Sequence, residues 1–378
     1  MSPPAHEPQV SLIIPARNEA ATICECISRA RQALSEAGLT YEIIVADSST
    51  DETPDIAASF GAEVIKPAKL GYGNAYLAGF ERARGDYLVL MDGDLTYDPA
   101  AIPRMVGLLQ DGSYDMVIGS RLKGEILPGA MPALHRYIGN PLLTWILNRL
   151  FKTSISDTHC GLRALSRQGL ERLNLHSGGM EFASEMIIEA AVRDLRIGET
   201  PISYYPRRGE SKLSSFTDGW RHLRFMMLYR PVPFLLVPGL AALAFGLILS
   251  AVVYLQGGSR MHSLILGGLL LIIGYQMFLA GLYFEAFAKS LGLSTGGTIG
   301  RMVSYHSLEK ELMAGFLLLG AGVLIGLQVL MRWGASGFGA LDAAMSAMIA
   351  MILSILGIQT LFSGIFISLL LLNNGQQD

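Results

Sequence analysis

Cysteine is scarce in this chain: Cys24, Cys26 and Cys160 are the only three in 378 residues. Cys24 and Cys26 form C-x-C with no matching second pair, so neither a zinc site nor a disulfide framework is expected. A basic excess is also missing. The formal net charge is −3, which argues against a nucleic-acid partner. The opening residues, MSPPAHEPQV, lack the basic-then-apolar pattern of a secretory signal. The first domain is therefore expected to stay in the cytosol.

Charge of either sign is rare, at 16% of residues, and unevenly spread. Of 61 Asp, Glu, Lys and Arg residues, only 10 lie beyond residue 232. Uncharged runs cover 231–259, 261–284, 312–331 and 343–377. Each can supply the roughly 20 apolar residues that cross a bilayer as a helix. The expected organisation is a soluble domain at 1–212, an interfacial amphipathic linker at 213–232 and a four-span membrane domain at 233–378. The loop between the second and third spans carries Lys289, Arg301 and Lys310, against one basic residue in each of the other two. The positive-inside tendency puts that loop and the soluble domain in the cytosol. No charge sits near the middle of a span, so an ion or proton path is not expected.

Before the spans, short apolar runs alternate with helical spacing. Val10–Pro15, Tyr41–Asp47, Ala62–Lys66, Asp86–Asp92 and Met116–Ser120 read as strands. Helices are expected at Glu19–Ala37, from about Glu52, and from Gly71 to Arg84. This alternation predicts a mostly parallel α/β sheet. In such sheets ligands bind beyond the carboxyl ends of the strands. Arg17-Asn18-Glu19, Asp47 and Asp92-Gly93-Asp94 all follow strands, so the topology gathers them on one edge.

Asp92 and Asp94, one residue apart on a turn, could both face a divalent ion; hard oxygen ligands suit Mg²⁺ or Mn²⁺ beside a diphosphate. Gly71-Tyr72-Gly73 opens a helix and could let backbone approach a phosphate, or could be a simple turn. Arg121, in GSR, is a further phosphate ligand candidate. Residues 207–212, RRGESK, place Arg207, Arg208, Ser211 and Lys212 around a glycine, suited to phosphate oxygens or to anionic headgroups. Leu134–Lys152 and Ser214–Arg230 mix tryptophan, aliphatics and basic residues, as helices in the headgroup layer do. A nucleotide diphosphate on a metal beside a membrane-apposed basic surface suggests group transfer to a lipid phosphate.

SLIIPARNEAATI, VADSSTDET, VLMDGDLTYDP, MVIGSRL, DTHCGLRAL, FASEMIIEA and YYPRRGESKL stand in the order found in family 2 glycosyltransferases. Over about residues 10–225 the chain resembles the polyprenyl-phosphate branch, that of dolichol-phosphate mannose and glucose synthases. The resemblance implies a GT-A (Rossmann-like) α/β domain, a divalent metal, inversion, and a nucleotide-sugar donor of the GDP-mannose or UDP-glucose type. By position it implies Pro15, Asn18, Glu19, Asp47 and Asp92 around the donor, and Asp92 and Asp94 on metal and diphosphate. It implies Arg121, Arg136, Asp157, Arg163, Arg207, Ser211 and Lys212 on the acceptor side, with Asp94, Arg121, Arg207 and Lys212 closest to the chemistry. The sequence departs from the family in two places. Ala46-Asp47 replaces a paired Asp. Thr96 stands where a Gln is common, and Asp98 is a poor substitute. Gln328 to Trp333 reads Q-x-x-x-R-W, one residue longer than the motif of processive synthases.

Two other readings stay open at this point. One is a glycosyltransferase acting on a glycolipid hydroxyl, which would need a carboxylate base. The other is a membrane scaffold with a degenerate transferase domain.

Overall fold

The computed structural model describes residues 7–208, 215–256, 260–290, 300–301, 303, 307–339 and 343–372. It divides into two compact units, Met1–Phe225 and Met226–Asp378.

In the first unit, β1 (Val10–Ala16), β2 (Tyr41–Asp47), β3 (Glu63–Ile65) and β4 (Tyr87–Leu90) alternate with α1 (Ile23–Glu36), α2 (Thr53–Ser59) and α3 (Tyr72–Arg82). After them come α4 (Ile102–Gln110), β5 (Met116–Ile126), α5 (Asn140–Phe151), β6 (Arg163–Ser166), α6 (Arg167–Glu171), α7 (Phe182–Val192), β7 (Ile197–Tyr204) and α8 (Ser215–Tyr229). One seven-stranded sheet runs in the order β3-β2-β1-β4-β6-β5-β7. Strand β6 is antiparallel to both neighbours, and the remaining pairs are parallel. The five strands expected from sequence are present, while β6 and β7 were not foreseen. β1 is covered on both faces, which is why VSLIIPA shows no polar alternation. α1 buries Ile23, Cys26, Ile27, Ala30 and Leu34, an i, i+3, i+4, i+7, i+11 stripe facing the sheet.

Strand β5 outruns its apolar run. Its pairing with β7 shifts register between Ser120 and Glu125. Gly124 lies so close to the Ile202 backbone that a Cβ would collide with it. The irregularity frees Arg121 from the ladder.

The segment before α5 is a π-type turn, His135–Gly139. Leu134, Tyr137, Ile138, Leu142 and Trp145 are all more than half exposed.

The second unit has α9 (Val237–Leu255), entered through a π-type turn at Val232–Leu236, then α10 (Met261–Ser290), α11 (Leu308–Ala335) and α12 (Ala344–Leu372). All four are long and apolar enough to span a bilayer. Each carries glycines seven residues apart: Gly239 and Gly246, Gly267, Gly274 and Gly281, Gly315 and Gly322, Gly357 and Gly364. The spacing puts them on one helix face, and the faces meet in two hairpins. A Cβ on Gly274 would lie 2.6 Å from Leu243 N, and one on Gly357 would lie 2.5 Å from Leu319 N. Backbone is against backbone, the packing that small residues permit inside membranes. Leu236, Leu279, Leu282, Ala286, Val303 and Ile367 form an apolar cluster in this unit.

Gly357→Val is expected to force α11 and α12 apart. It should cost about 1–3 kcal/mol, seen as a lower unfolding temperature of the full-length protein in detergent. Gly326→Ala, whose new methyl would meet only Ala350 at 3.8 Å, should be neutral or slightly stabilising. Equal tolerance of both would refute backbone contact at Gly357.

Candidate active site

The carboxyl ends of β1 and β2 are stitched by side chains. Register sets Ala16 beside Asp47. Asn18 adopts a left-handed conformation, φ 54°. Its N–H donates to Ser49 Oγ at 2.7 Å, and its Oδ1 accepts from Thr50 N at 2.9 Å. Asp47 accepts from Ser49 N at 3.0 Å and Ser49 Oγ at 2.5 Å. Glu19 N donates to Thr53 Oγ1 at 2.9 Å. Asn18, Glu19 and Asp47 thus gather on one edge, as their strand ends required, and Pro15 lies one residue before the end of β1, paired with Ala46.

Beyond β4 the chain turns through Asp92-Gly93-Asp94, with Leu95 at φ 62°. Thr96 donates to Asp94 Oδ1 from both N, at 3.1 Å, and Oγ1, at 2.5 Å. Thr96 therefore orients the second carboxylate. Tyr76 Oη donates to Asp92 Oδ1 at 3.4 Å, and Tyr72 hydrogen-bonds the same carboxylate. On its other side Asp92 closes on Gly161, where a Cβ would sit 2.7 Å from Oδ2. Burial, then the Asp94 charge, pushes the Asp92 carboxyl up to about 7; Tyr72, Arg207 and Arg121 pull it down.

Strand β7 ends beside this turn. Tyr205 N donates to Thr96 O at 2.9 Å, and the Tyr97 and Tyr204 rings meet at 5.4 Å. That seam delivers Arg207, whose Nη2 lies 3.4 Å from Glu19 Oε1 and Nε 3.4 Å from Asp94 Oδ2. Arg207 thus bridges two carboxylates that the resemblance puts with the donor, whereas the resemblance put Arg207 itself on the acceptor side. Arg208 pairs with Glu25 at 2.7 Å on the outer face of α1.

Arg121 is buried. Its Nε and Nη2 fork onto Asp157 at 2.7 and 2.8 Å, and its Cζ lies 5.1 Å above the Tyr204 ring. Arg163 corrects the acceptor assignment. Only 2% exposed, it donates to the carbonyls of Cys160, Ala183 and Thr158. Each of its three nitrogens is thus tied to a main-chain carbonyl, and its burial keeps it within the loop that it braces. Asp157, fully buried, likewise works through Arg121. Arg136 is half-buried and lies over the Tyr137 ring at 5.4 Å; among the described residues no hydrogen bond or ion pair joins it to the carboxylates. Ser211 and Lys212 lie outside the described residues.

The glycines of Gly71-Tyr72-Gly73 open α3, as expected, but their lack of a side chain serves neither a phosphate nor a simple turn: it makes room for a neighbouring loop. A Cβ at either position would strike the carbonyl of Gly178 or Ser177, and Asn74 N donates to Gly178 O. They admit a neighbouring loop, which Glu185 holds through the amides of His176 and Ser177. The part of the motif that reaches the carboxylates is the Tyr72 hydroxyl, through its hydrogen bond to Asp92; the sequence pattern did not single it out. Cys26, beside Asp92 O, has its thiol pushed up to about 12 by burial, then Asp94 and Asp92. It is no nucleophile at neutral pH.

The donor set fits a hard divalent ion. Two carboxylates held close together repel, and their oxygens suit Mg²⁺ or Mn²⁺. Among the described residues no three His, Cys, Asp or Glu side chains cluster to enclose an ion. Two carboxylates leave the other positions to diphosphate oxygens and water.

Behind the site, His159 meets His222 of α8, ring centroids 4.5 Å apart and edge-on. His222 Nδ1 lies 2.8 Å from Ser184 Oγ. His159 Nε2 is buried without a hydrogen-bond partner among the described residues. Burial, then His222, Arg121 and Arg163, hold the His159 pKa well below the usual 6.5.

Two predictions arise here. Because the folded pKa of His159 is depressed, the unfolded chain takes up the proton first. Stability should be full above about pH 6.5 and fall by up to about 1.4 kcal/mol per pH unit below it. His159→Gln should flatten that slope in thermal unfolding; an unchanged slope would clear His159. Second, Arg207→Gln removes the cation between Glu19 and Asp94. Mn²⁺ binding without nucleotide, measured by titration calorimetry, should tighten several-fold, and weaker binding would contradict the bridge.

Family comparison agrees with this geometry. The glycosyl transferase family 2 model matches residues 11–173, and the family's C-terminal transmembrane region matches 284–371. The chain is 36% identical over 179 residues to a dolichyl-phosphate hexose transferase of Haloferax volcanii, covering 47% of this chain and 76% of that one. A crystal structure of a mycobacterial protein matches at TM-score 0.50 and 22% identity, over 58% of this chain and 74% of that one. That likeness concerns the fold alone, a GT-A-like mixed sheet. The low-salt glycan biosynthesis hexosyltransferase Agl6 of Haloferax volcanii is 41% identical over 360 residues, 94% of this chain and 87% of that protein. Since this last likeness runs through both units, the chain belongs to glycosyltransferase family 2, as a membrane-embedded glycosyltransferase.

Proposed function

We propose that the protein moves a hexose from a nucleotide sugar, of the GDP-mannose or UDP-glucose type, onto a polyprenyl phosphate at the cytosolic face of the membrane. Transfer inverts the anomeric carbon and uses Mg²⁺ or Mn²⁺. The observation that carries this reading is the meeting of four carboxylates (Glu19, Asp47, Asp92, Asp94) with two guanidiniums, Arg121 and Arg207, at one sheet edge. The name of the dolichyl-phosphate hexose transferase relative supports the lipid phosphate acceptor. The basic loop between the second and third spans supports the cytosolic side.

Pro15, Asn18, Glu19 and Asp47 would receive the nucleoside. Asp92 and Asp94 would hold the ion, which when bound supplies positive charge to the leaving diphosphate. The attacking phosphate monoester has a second pKa near 6, so it is already ionised at neutral pH and needs little help from a base. What it needs is positive charge and alignment. Arg121, with Arg207 turning from Asp94 toward the diphosphate or acceptor, would supply both. Arg136, Ser211 and Lys212 are further acceptor-side candidates by position. The phosphate attacks the face opposite the leaving group, so an α-linked donor yields a β-linked product. A hydroxyl acceptor would instead require a base able to take its proton. Asp92, enclosed by Tyr72, Tyr76 and Gly161, is poorly placed for that role.

The test incubates full-length protein in nanodiscs with dolichyl phosphate and a panel of nucleotide sugars. The lipid product is then weighed by mass spectrometry. One hexose added to the lipid phosphate is expected, and Asp94→Asn should abolish it while the protein stays folded. Transfer to a neutral glycolipid but not to dolichyl phosphate would overturn the acceptor. Near-normal turnover by Asp94→Asn at saturating Mn²⁺ would overturn the metal assignment.

A further inference from the structure

We propose that Glu199 is a positioning residue for the acceptor phosphate, acting through Asp157 on Arg121. The inference rests on the acceptor reading above and adds a residue that no motif singled out.

Arg121 leaves the sheet at the β5 irregularity, so its N–H turns to Asp157 Oδ2 at 3.1 Å. With the Nε and Nη2 bonds, Asp157 takes three donors from this one residue. The guanidinium plane therefore follows the carboxylate. Asp157, however, sits on the irregular stretch between α5 and β6, which has no ladder to hold it.

Glu199 supplies the anchor. It lies inside β7, opposite Ile118 of β5, with its side chain 8% exposed. Its Oε1 accepts from Ser156 N at 2.7 Å, Ser156 Oγ at 2.8 Å and Asp157 N at 3.3 Å. Its Oε2 takes Lys123 Nζ at 2.7 Å. Ser156 Oγ also lies 2.6 Å from Ser120 Oγ, the residue just before Arg121. A glutamate inside a strand is disfavoured, and a buried carboxylate is costly unless its oxygens are satisfied. Four donors satisfy this one, and two of them are the amides that fix Asp157. Strand β7 also contributes Tyr204, under the same guanidinium. One strand thereby sets both the edge and the face of Arg121. A displacement of a few tenths of an ångström in the Ser156–Asp157 backbone would rotate the fork and misdirect the donors left for a phosphate.

The test uses full-length protein in nanodiscs, dolichyl phosphate and whichever nucleotide sugar supports turnover. For each variant kcat/KM for the lipid is compared with Kd for the nucleoside diphosphate. Glu199→Ala should lower lipid efficiency about ten- to hundred-fold with Kd unchanged. Glu199→Gln, which keeps an oxygen for the two amides, should recover most of it. Lys123→Ala, which removes only the exposed partner, should be near wild type. The deciding variant is Arg121→Ala combined with Glu199→Ala. If Glu199 acts through Arg121, the double variant is no worse than Arg121→Ala alone. Multiplying losses, or an equal fall in nucleotide affinity, would reduce Glu199 to a general structural role and overturn the proposal. Should Glu199→Ala fail to fold, Glu199→Asp takes its place: its carboxylate is withdrawn by one methylene, and a smaller loss with the same non-additivity is expected. Full lipid efficiency in that variant would also overturn it. Wild-type transfer to dolichyl phosphate with an Arg121→Ala variant of full efficiency removes the relay's target. Absence of wild-type transfer faults the acceptor reading itself.

Discussion

Negative charge gathered at one sheet edge is the constraint around which the catalytic unit is organised. Parallel topology makes β1, β2 and β4 end side by side, so Glu19, Asp47, Asp92 and Asp94 converge whatever their separation in sequence. Burial first, and then the like charge of Asp94, make ionising Asp92 costly, and its raised pKa records that cost. The protein answers with cations brought from the other half of the sheet. Arg121 arrives on β5 and Arg207 from the end of β7, both beyond the antiparallel β6. The carboxylates therefore come from one half of the sheet and the two cations from the other. The turn at Asp92–Thr96 is the seam where they meet, tied to β7 through Tyr205 N and the Tyr97–Tyr204 contact.

The two halves were not equally legible in sequence. The first obeys simple rules: short buried runs, helical spacing between them, acidic residues at strand ends. Each expected strand there, and the gathering of Asn18, Glu19, Asp47, Asp92 and Asp94 on one edge, follows from periodicity and topology, while their donor-side roles came from the resemblance. In the second half β7 reads IGETPISY, broken by Gly, Glu and Pro, and β6 has only four residues. Neither carries a period that declares a strand. The resemblance to the family placed Arg121, Asp157 and Arg163 in one region, but spacing could not tell a side chain that faces substrate from one that holds a loop. Arg163 belongs to the second kind, because it is buried and each of its three nitrogens donates to a main-chain carbonyl. Arg207 was assigned to the acceptor from its nearness to the first span, whereas the tie between β7 and the Asp94 turn brings it first to Glu19 and Asp94.

Hydroxyl groups were the least visible class. Tyr72, Tyr76, Thr96 and Ser49 each bind one of the site carboxylates, yet Ser, Thr and Tyr are too common for identity alone to mark them. Thr96 illustrates the difficulty. Judged as a metal ligand it is a poor replacement for Gln, but its Oγ1 and N both orient Asp94. The membrane unit shows the opposite balance. Composition announces four spans, and their bounds shift by only a few residues. Their pairing resides in the seven-residue glycine spacing, a pattern that hydropathy averages away.

Charge placement separates affinity from alignment in this enzyme. Arg207 is partly exposed and shared between two carboxylates at 3.4 Å, distances at which either contact is easily given up. Arg121 is buried and forked onto Asp157 at 2.7 and 2.8 Å, and desolvation makes such a pair costly to break. One cation is therefore loosely held and the other firmly fixed, which under the proposed function would let the first follow a phosphate and make the second a reference for direction. Direction would be the scarcer quantity for the proposed phosphate acceptor, which is already ionised, since no proton transfer needs to be timed and only the line of approach must be held. It follows that rigidity should be concentrated around Arg121. The β5 irregularity, the Asp157 clamp, the Tyr204 ring and the Glu199 anchor all bear on that one side chain.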